Sequence, residues 1–177
     1  STIYDLGLSS ISNETDSIQI NLWSPSSLLN QETSYSRETI LHSDGTATTD
    51  FPGSTLNKSY YIAIKHRSSI ETWSKDSVIF NSVTNYDFTN SVNKAYSDGL
   101  NPPMSLLNDG KFGLYSGDIN QNGSIDISDM QLSQNDASNF EYGYNSSDVN
   151  GDLGTDISDM QIIENNNGLF IFYARPY

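Results

Sequence analysis

Two stretches of this 177-residue chain set oxygen-bearing side chains at alternate positions, thirty residues apart. "DINQNGSIDISDMQ" (118–131) aligns over "DVNGDLGTDISDMQ" (148–161), and the last six residues of the two are identical. The first offers Asp118, Asn120, Asn122, Asp126 and Asp129, and the second Asp148, Asn150, Asp152, Asp156 and Asp159. These fall at places 1, 3, 5, 9 and 12 of a twelve-residue calcium loop. A hard cation takes about six to eight oxygens, and a loop wound round it turns alternate side chains inward. Place 7 gives a backbone carbonyl, here from Ser124 and Gly154. Place 6 needs a sharp turn, which Gly123 supplies in the first copy. In the second copy Leu153 stands at place 6 and Gly154 follows it, so this loop is expected to turn one residue late. The donor number favours calcium over the smaller, stricter magnesium. Two ions are expected, one per loop.

Each loop must be carried on something rigid, and the pattern changes period where the loop ends. Ile127 and Met130, then Leu132 or Ser133, follow the first loop; Ile157, Met160 and Ile163 follow the second. Apolar residues three apart predict an amphipathic helix that starts inside each loop. Asp129 and Asp159 would sit in the first helical turn, where the helix dipole favours a negative charge.

This doubled loop–helix resembles the dockerin modules, which also carry two such repeats with Asp at place 12. The resemblance covers about residues 112–170. In cellulosomal dockerins places 10 and 11 lie on the face that meets a cohesin; here they are Ile127 with Ser128 and Ile157 with Ser158. Identical pairs would give a two-fold symmetric face, but the preferred reading of these isoleucines is as core residues of the duplicated fold.

Charge points the same way as the loops. The chain carries a formal net charge of −14 and no cysteine. Ten acidic residues and Arg175 as sole basic residue fall within 112–177. Such like charge repels itself unless a cation neutralises part of it, and two calcium ions would cancel four charges. The acidic balance argues against nucleic acid as a partner. Without cysteine there is no disulfide, thiolate metal site or thiol nucleophile, and calcium can serve as the staple of an exported fold. No apolar run is long enough to span a bilayer. The chain starts at Ser1 without a signal-like segment, which fits either a removed signal or a fragment.

Residues 1–90 read as short strands separated by Ser/Asn turns. "SIQINLW" (17–23) puts Ile18, Ile20 and Leu22 on one face. "SYYIAIKHR" (59–67) sets Tyr60, Ile62, Ile64 and His66 opposite Tyr61, Ala63 and Lys65. "DSVIF" (76–80), "NYDFT" (85–89) and the turn-plus-strand "HSDGTATTDFP" (42–52) follow. The class is therefore mainly β with a small α part. The expected organisation is a β-sandwich over 1–90, a connecting segment over 91–111, and the double calcium-loop domain with a C-terminal strand over 112–177. The strand order is similar to prealbumin-like or Cna-B-type domains, and the whole layout resembles C-terminal regions of exported proteins of Bacteroidota-type bacteria. That resemblance implies an extracellular or cell-surface location.

No catalytic constellation is legible. His42 and His66 fit no zinc spacing, and no nucleophile elbow, P-loop or dinucleotide fingerprint occurs, so an enzyme is not expected. In "KHRSSIETW", Arg67 is expected to pair with Glu71 or stack on Trp73. Trp23 and the tyrosines suit packing better than a sugar platform. Asn13, Asn57 and Asn145 head glycosylation sequons, as does Asn122, a poor acceptor if it binds metal. "DSI" and "DSV" resemble the O-glycosylation motif of Bacteroidota, on Ser17 and Ser77. The apolar run Leu169–Tyr173 and "STIYDLGL" at the N-terminus must both find strand partners. Pairing within the chain is the simpler arrangement; pairing between chains would build a fibre. The expected function is a non-catalytic, calcium-stabilised structural or adhesion protein, a candidate glycosylated fibre subunit. The alternative is a carbohydrate-binding or docking module of a larger exported protein. Candidate partners are further copies of itself, another surface protein or a glycan.

Overall fold

The computed structural model describes residues 6–7, 11–29 and 33–177. The chain is mainly β, with two helices near its C-terminus. Strands β1 (Glu14–Trp23), β2 (Tyr35–His42), β3 (Ser59–His66) and β4 (Ser69–Trp73) form one antiparallel sheet in the order β2-β1-β3-β4. The short β5 (Val78–Ile79) joins it alongside β3. A two-stranded ladder, β6 (Ser105–Leu106) with β7 (Phe112–Gly113), stands apart. Helices α1 (Ile127–Ser138) and α2 (Ile157–Asn167) follow. Among the described residues, no helix is long and apolar enough to cross a membrane.

The period-2 alternation of β1 and β3 fixes which side chains each face buries. Ile20 and Leu22 join Tyr60, Ile62 and Ile64 on one face, against Phe80, Phe88, Ala95 and Met104. Edge-to-face rings link Tyr35, Phe51, Phe80 and Tyr60, with centroids 5.6–6.4 Å apart. The layer across this core is built mostly of irregular chain between 80 and 114. "NYDFT" contributes its rings there without entering a ladder, and residues 46–52, expected as a strand, likewise enter none. On the opposite face Trp23 packs on Trp73 with centroids 5.0 Å apart, around the fully buried Ala63.

A second core holds Ile70, Tyr115, Ile119, Ile125, Ile163 and Ile171, with Met130 and Val149 at its margin. Ile119 and Val149 are place 2 of the two loops, so the loops themselves supply core residues. Of these residues Ile70 comes from the sheet, from β4. The turn joining β3 to β4 (Arg67–Ser68) thus reaches out of the sheet and plugs the double-loop region. Its main chain is fastened there: the Ile70 N–H donates to the Tyr115 carbonyl at 2.9 Å, and the Gly117 N–H to the Ser68 carbonyl at 2.6 Å.

Residues 171–173 of the apolar C-terminal run pair inside the chain, whereas Leu169 and Phe170 are exposed. Phe172 bridges Ser124 in antiparallel sense, with the Ile125 N–H on the Ile171 carbonyl and the Tyr173 N–H on the Gly123 carbonyl. Residues 1–5 and 8, for which strand pairing is also expected, lie outside the described residues.

Candidate metal centre

Both helices begin at a loop aspartate for a local reason. Asp126 and Asp156 are the N-caps, and each accepts the N–H of the serine two residues on, Ser128 at 2.8 Å and Ser158 at 2.7 Å. The serine hydroxyls bond the same oxygens at 2.6 Å. These bonds hold both carboxyls below the usual carboxylate range. Three residues later Asp129 and Asp159 reach back to the cap N–H, both at 3.0 Å, and close a capping box. Places 9 and 12 of the loop are therefore also the two halves of a helix start.

Asp129 and Asp159 are completely buried, and each gathers three backbone N–H groups. Asp129 Oδ1 accepts from Ile119 and Asn120 at 3.0 and 3.2 Å. Asp159 Oδ1 accepts from Val149 and Asn150 at 2.8 and 3.0 Å. At place 1, Asp118 takes the N–H groups of Asn122 and Gly123, and Asp148 those of Gly151, Asp152 and Leu153. Places 3 and 5 continue the winding in each loop. Asn120 accepts from Asn122 and Asn122 from Ser124; Asn150 accepts from Asp152 and Asp152 from Gly154.

The place-7 residues are turned correctly for a carbonyl donor. In each antiparallel bridge the hydrogen bonds use the neighbours: Gly123 and Ile125 around Ser124, Leu153 and Thr155 around Gly154. The N–H and C=O of Ser124 and Gly154 therefore face away from the bridging segment and into the loop.

The two loops trace one backbone path, which corrects the expectation of a late turn in the second. Leu153 itself takes the left-handed conformation at φ 80, as Gly123 does at φ 89, and Gly154 does not. Place 4 is left-handed in both as well, Gln121 at φ 57 and Gly151 at φ 76. The strain of a leucine there, about 1 kcal/mol, is accepted. Across the bridge, Gly123 faces Tyr173 whereas Leu153 faces Gly143, so the bulky residue has changed sides between repeats. A Cβ at Gly123 would lie 2.4 Å from the Tyr173 ring. Gly123→Ala is accordingly expected to destabilise the chain by about 1–3 kcal/mol and to loosen residues 171–173. Urea unfolding and amide exchange at Ile125 and Tyr173 are the measurements, and an unchanged midpoint would refute the close fit.

Burial leaves these carboxyls reluctant to ionise. It pushes Asp118 up to about 6, against the N–H bonds from Gly123 and Asn122 and with the charge of Asp129 adding to the rise. Burial likewise raises Asp129 and Asp148. In the second loop, carboxylate oxygens of Asp148, Asp152 and Asp159 lie within 4.8 Å of one another, with Asp148 and Asp159 buried and Asp152 exposed. An ion about 2.3–2.6 Å from each ligand bridges such a set, so this group can hold a metal ion. The first loop has Asn122 where the second has Asp152, so it offers two carboxylates and an amide at the same places.

Other sequence-selected residues fall elsewhere. Ile127 and Ile157, expected in the core, are 60% and 67% exposed, because the helix turns Met130, Ser133 and Ile163 inward instead. Arg67 pairs with neither Glu71 nor Trp73. Its guanidinium bonds Asp16 at 3.2 Å and lies over the Tyr144 ring at 4.7 Å, while Glu71 pairs with Lys65 and accepts from the Trp73 indole. Both indoles are core. Asn13, Asn57 and Ser17 are exposed, and Ser77 is half-buried beside the Ser59 hydroxyl. Asn145 is pinned: its Oδ1 accepts the N–H groups of Ser147 and Asp148 and the Thr155 hydroxyl.

One cluster was not legible in the sequence. Asp16 Oδ2 meets His66 Nε2 at 3.0 Å, and His66 Nδ1 lies 3.2 Å from the Ser69 hydroxyl. This is the order of a hydrolase triad, yet Ser69 is 4% exposed and the adjacent Ser68 1%. Both serines are buried where the sheet meets the loops, and the cluster ties Asp16 of β1 to the β3–β4 turn. Burial would raise Asp16, but hydrogen bonds from His66 and Tyr144 and the charges of His66 and Arg67 outweigh it and hold the carboxyl at about 2. Compared with family models, with curated proteins and with solved structures, the chain matches none.

Proposed function

We propose that this chain is a non-catalytic structural or adhesion module of the extracellular space or cell surface, stabilised by one calcium ion in each loop. The observation that carries the reading is the convergence of the Asp148, Asp152 and Asp159 oxygens within 4.8 Å around two buried carboxyls. Calcium would lend charge neutralisation and a rigid joint; the residues of the chain supply the oxygens, hold them by backbone N–H bonds and keep the loops wound. The matching backbone of the first loop extends the reading to a second ion. Calorimetric titration of the full, chelator-stripped chain with calcium chloride tests it. Two ions per chain are expected, with magnesium at least about tenfold weaker; no heat of binding at millimolar calcium would overturn the reading.

Its fibre form draws support only from the N-terminal stretch, since residues 171–173 are engaged on the first loop. Light scattering with calcium present decides that point: a monomer at every concentration removes the fibre and leaves the calcium module. A docking function is favoured by one specific observation. Ile127 with Ser128 and Ile157 with Ser158 sit on the outward first turns of two equivalent helices, the isoleucines well exposed.

A further inference from the structure

We propose that the Asp16–Arg67 ion pair of the sheet positions the second calcium loop, so that seating of the β3–β4 turn and metal occupancy of that loop are a single coupled equilibrium. The inference rests on the calcium reading above and adds a residue pair outside both loops to it.

Arg67 projects from the turn between β3 and β4 and grips the main chain that opens the second loop. Its Nη1 donates to the carbonyl of Asp148 at 3.0 Å and to that of Asn145. Asn145 is itself the clamp on place 1, because its side-chain oxygen accepts the Asp148 N–H at 2.9 Å. The peptide groups on both sides of the Asp148 side chain are thus fixed, one by Arg67 directly and one through a residue that Arg67 holds. A carboxylate ligand is useful only when its oxygens are already aimed, and losing a partner that aims a metal ligand typically costs about 10–100-fold in affinity.

A guanidinium beside a cation site would ordinarily repel the ion. Asp16 removes that conflict. Its Oδ2 lies 3.2 Å from Arg67 Nε, and its Oδ1 accepts the Tyr144 hydroxyl, whose ring lies under the guanidinium. The environment that keeps this carboxyl near 2 leaves it ionised at any physiological pH, so the pair aims the loop while adding little net charge. The first loop meets the same turn differently. The Gly117 N–H donates to the Ser68 carbonyl, and Gln121 Nε2 to the Ser69 carbonyl at 3.3 Å. Those contacts survive any change of the Arg67 side chain, which makes the two loops internal controls for one another.

Coupling is reciprocal: whatever factor the seated turn adds to calcium affinity, calcium adds to the seating of the turn. The test uses the full chain, isotope-labelled, stripped of metal and titrated with calcium chloride, following the Gly123 amide for the first loop and Gly154 for the second. Arg67→Met is expected to weaken the second loop by about tenfold and leave the first within about twofold. Arg67→Lys is expected to recover less than half of the loss, because an ammonium cannot fork across two carbonyls and a carboxylate. Equal losses at both loops, or none at either, overturn the coupling. If Arg67→Met does not fold, Asp16→Asn decides. It unmasks the guanidinium and is expected to weaken the second loop about threefold at low salt, with the effect fading as salt screens it; no change at low salt overturns the proposal. A parent chain that binds no calcium removes the calcium reading and this inference together, whereas a parent that binds at both loops while Arg67→Met is unaffected removes the coupling alone.

Discussion

Removing calcium from the full chain is expected to lower its melting temperature by about 10–20 °C. A ligand at a hundredfold its dissociation constant stabilises a protein by about 2.7 kcal/mol per site, and two sites give about 5 kcal/mol. For a chain of this size each kcal/mol is worth about 2–4 °C. The source of the effect is visible in the loops. Without a cation, Asp118 and Asp129 face each other under burial that raises both, and the second loop sets three carboxylates within 4.8 Å. Scanning calorimetry in millimolar calcium and in excess chelator measures the shift. Amide exchange locates it, with faster exchange expected over 112–177 and little change in β1 and β3. A melting temperature indifferent to chelator would sink the metal reading.

The second large effect is expected at Asp159, where one side chain does two jobs. Asp159→Ala removes a proposed metal ligand and also strands the N–H groups of Val149, Asn150 and Asp156, which the fully buried carboxylate now satisfies. Each buried donor left without a partner costs about 1–3 kcal/mol. A loss of about 3–5 kcal/mol is therefore expected even in chelator, and a larger one in calcium, where binding at the second loop is lost as well. Urea unfolding of parent and variant under both conditions separates the two parts. If the variant matches the parent in chelator, the carboxylate acts through the metal alone and the capping network carries no weight.

The fold is legible in the sequence where a single period or a fixed spacing determines the outcome. Alternation in β1 and β3 sorts their side chains between two cores because a pleated strand leaves no other choice. The loops are legible for a similar reason: oxygen donors at alternate places force one winding, and the same aspartates cap the helices. A contact is not legible where the deciding partner is distant in sequence. Arg67 has Glu71 and Trp73 as near neighbours, yet it pairs with Asp16 and Tyr144, which only the fold brings together. Ile127 and Ile157 were misjudged because apolar character and helical spacing say which residues share a stripe, but not where its buried part begins. Leu153 was misjudged because local preference favours a glycine at positive φ, whereas the bridge from Gly143 fixes the turn in place.

The exit of each helix is stitched to the loop of the other repeat: Tyr142 to Gly154, and Phe172 to Ser124. These two stitches span very different stretches of chain, 12 residues (154 − 142) for the first and 48 (172 − 124) for the second. Short closures form sooner than long ones. The loop written second is thus finished first, as soon as residues 141–159 exist. The loop written first must wait for residues 171–173 to be made. During synthesis the earlier half of the duplication is the one left open, with Ile125 and Ile163 still short of the Ile171 side chain that closes their core.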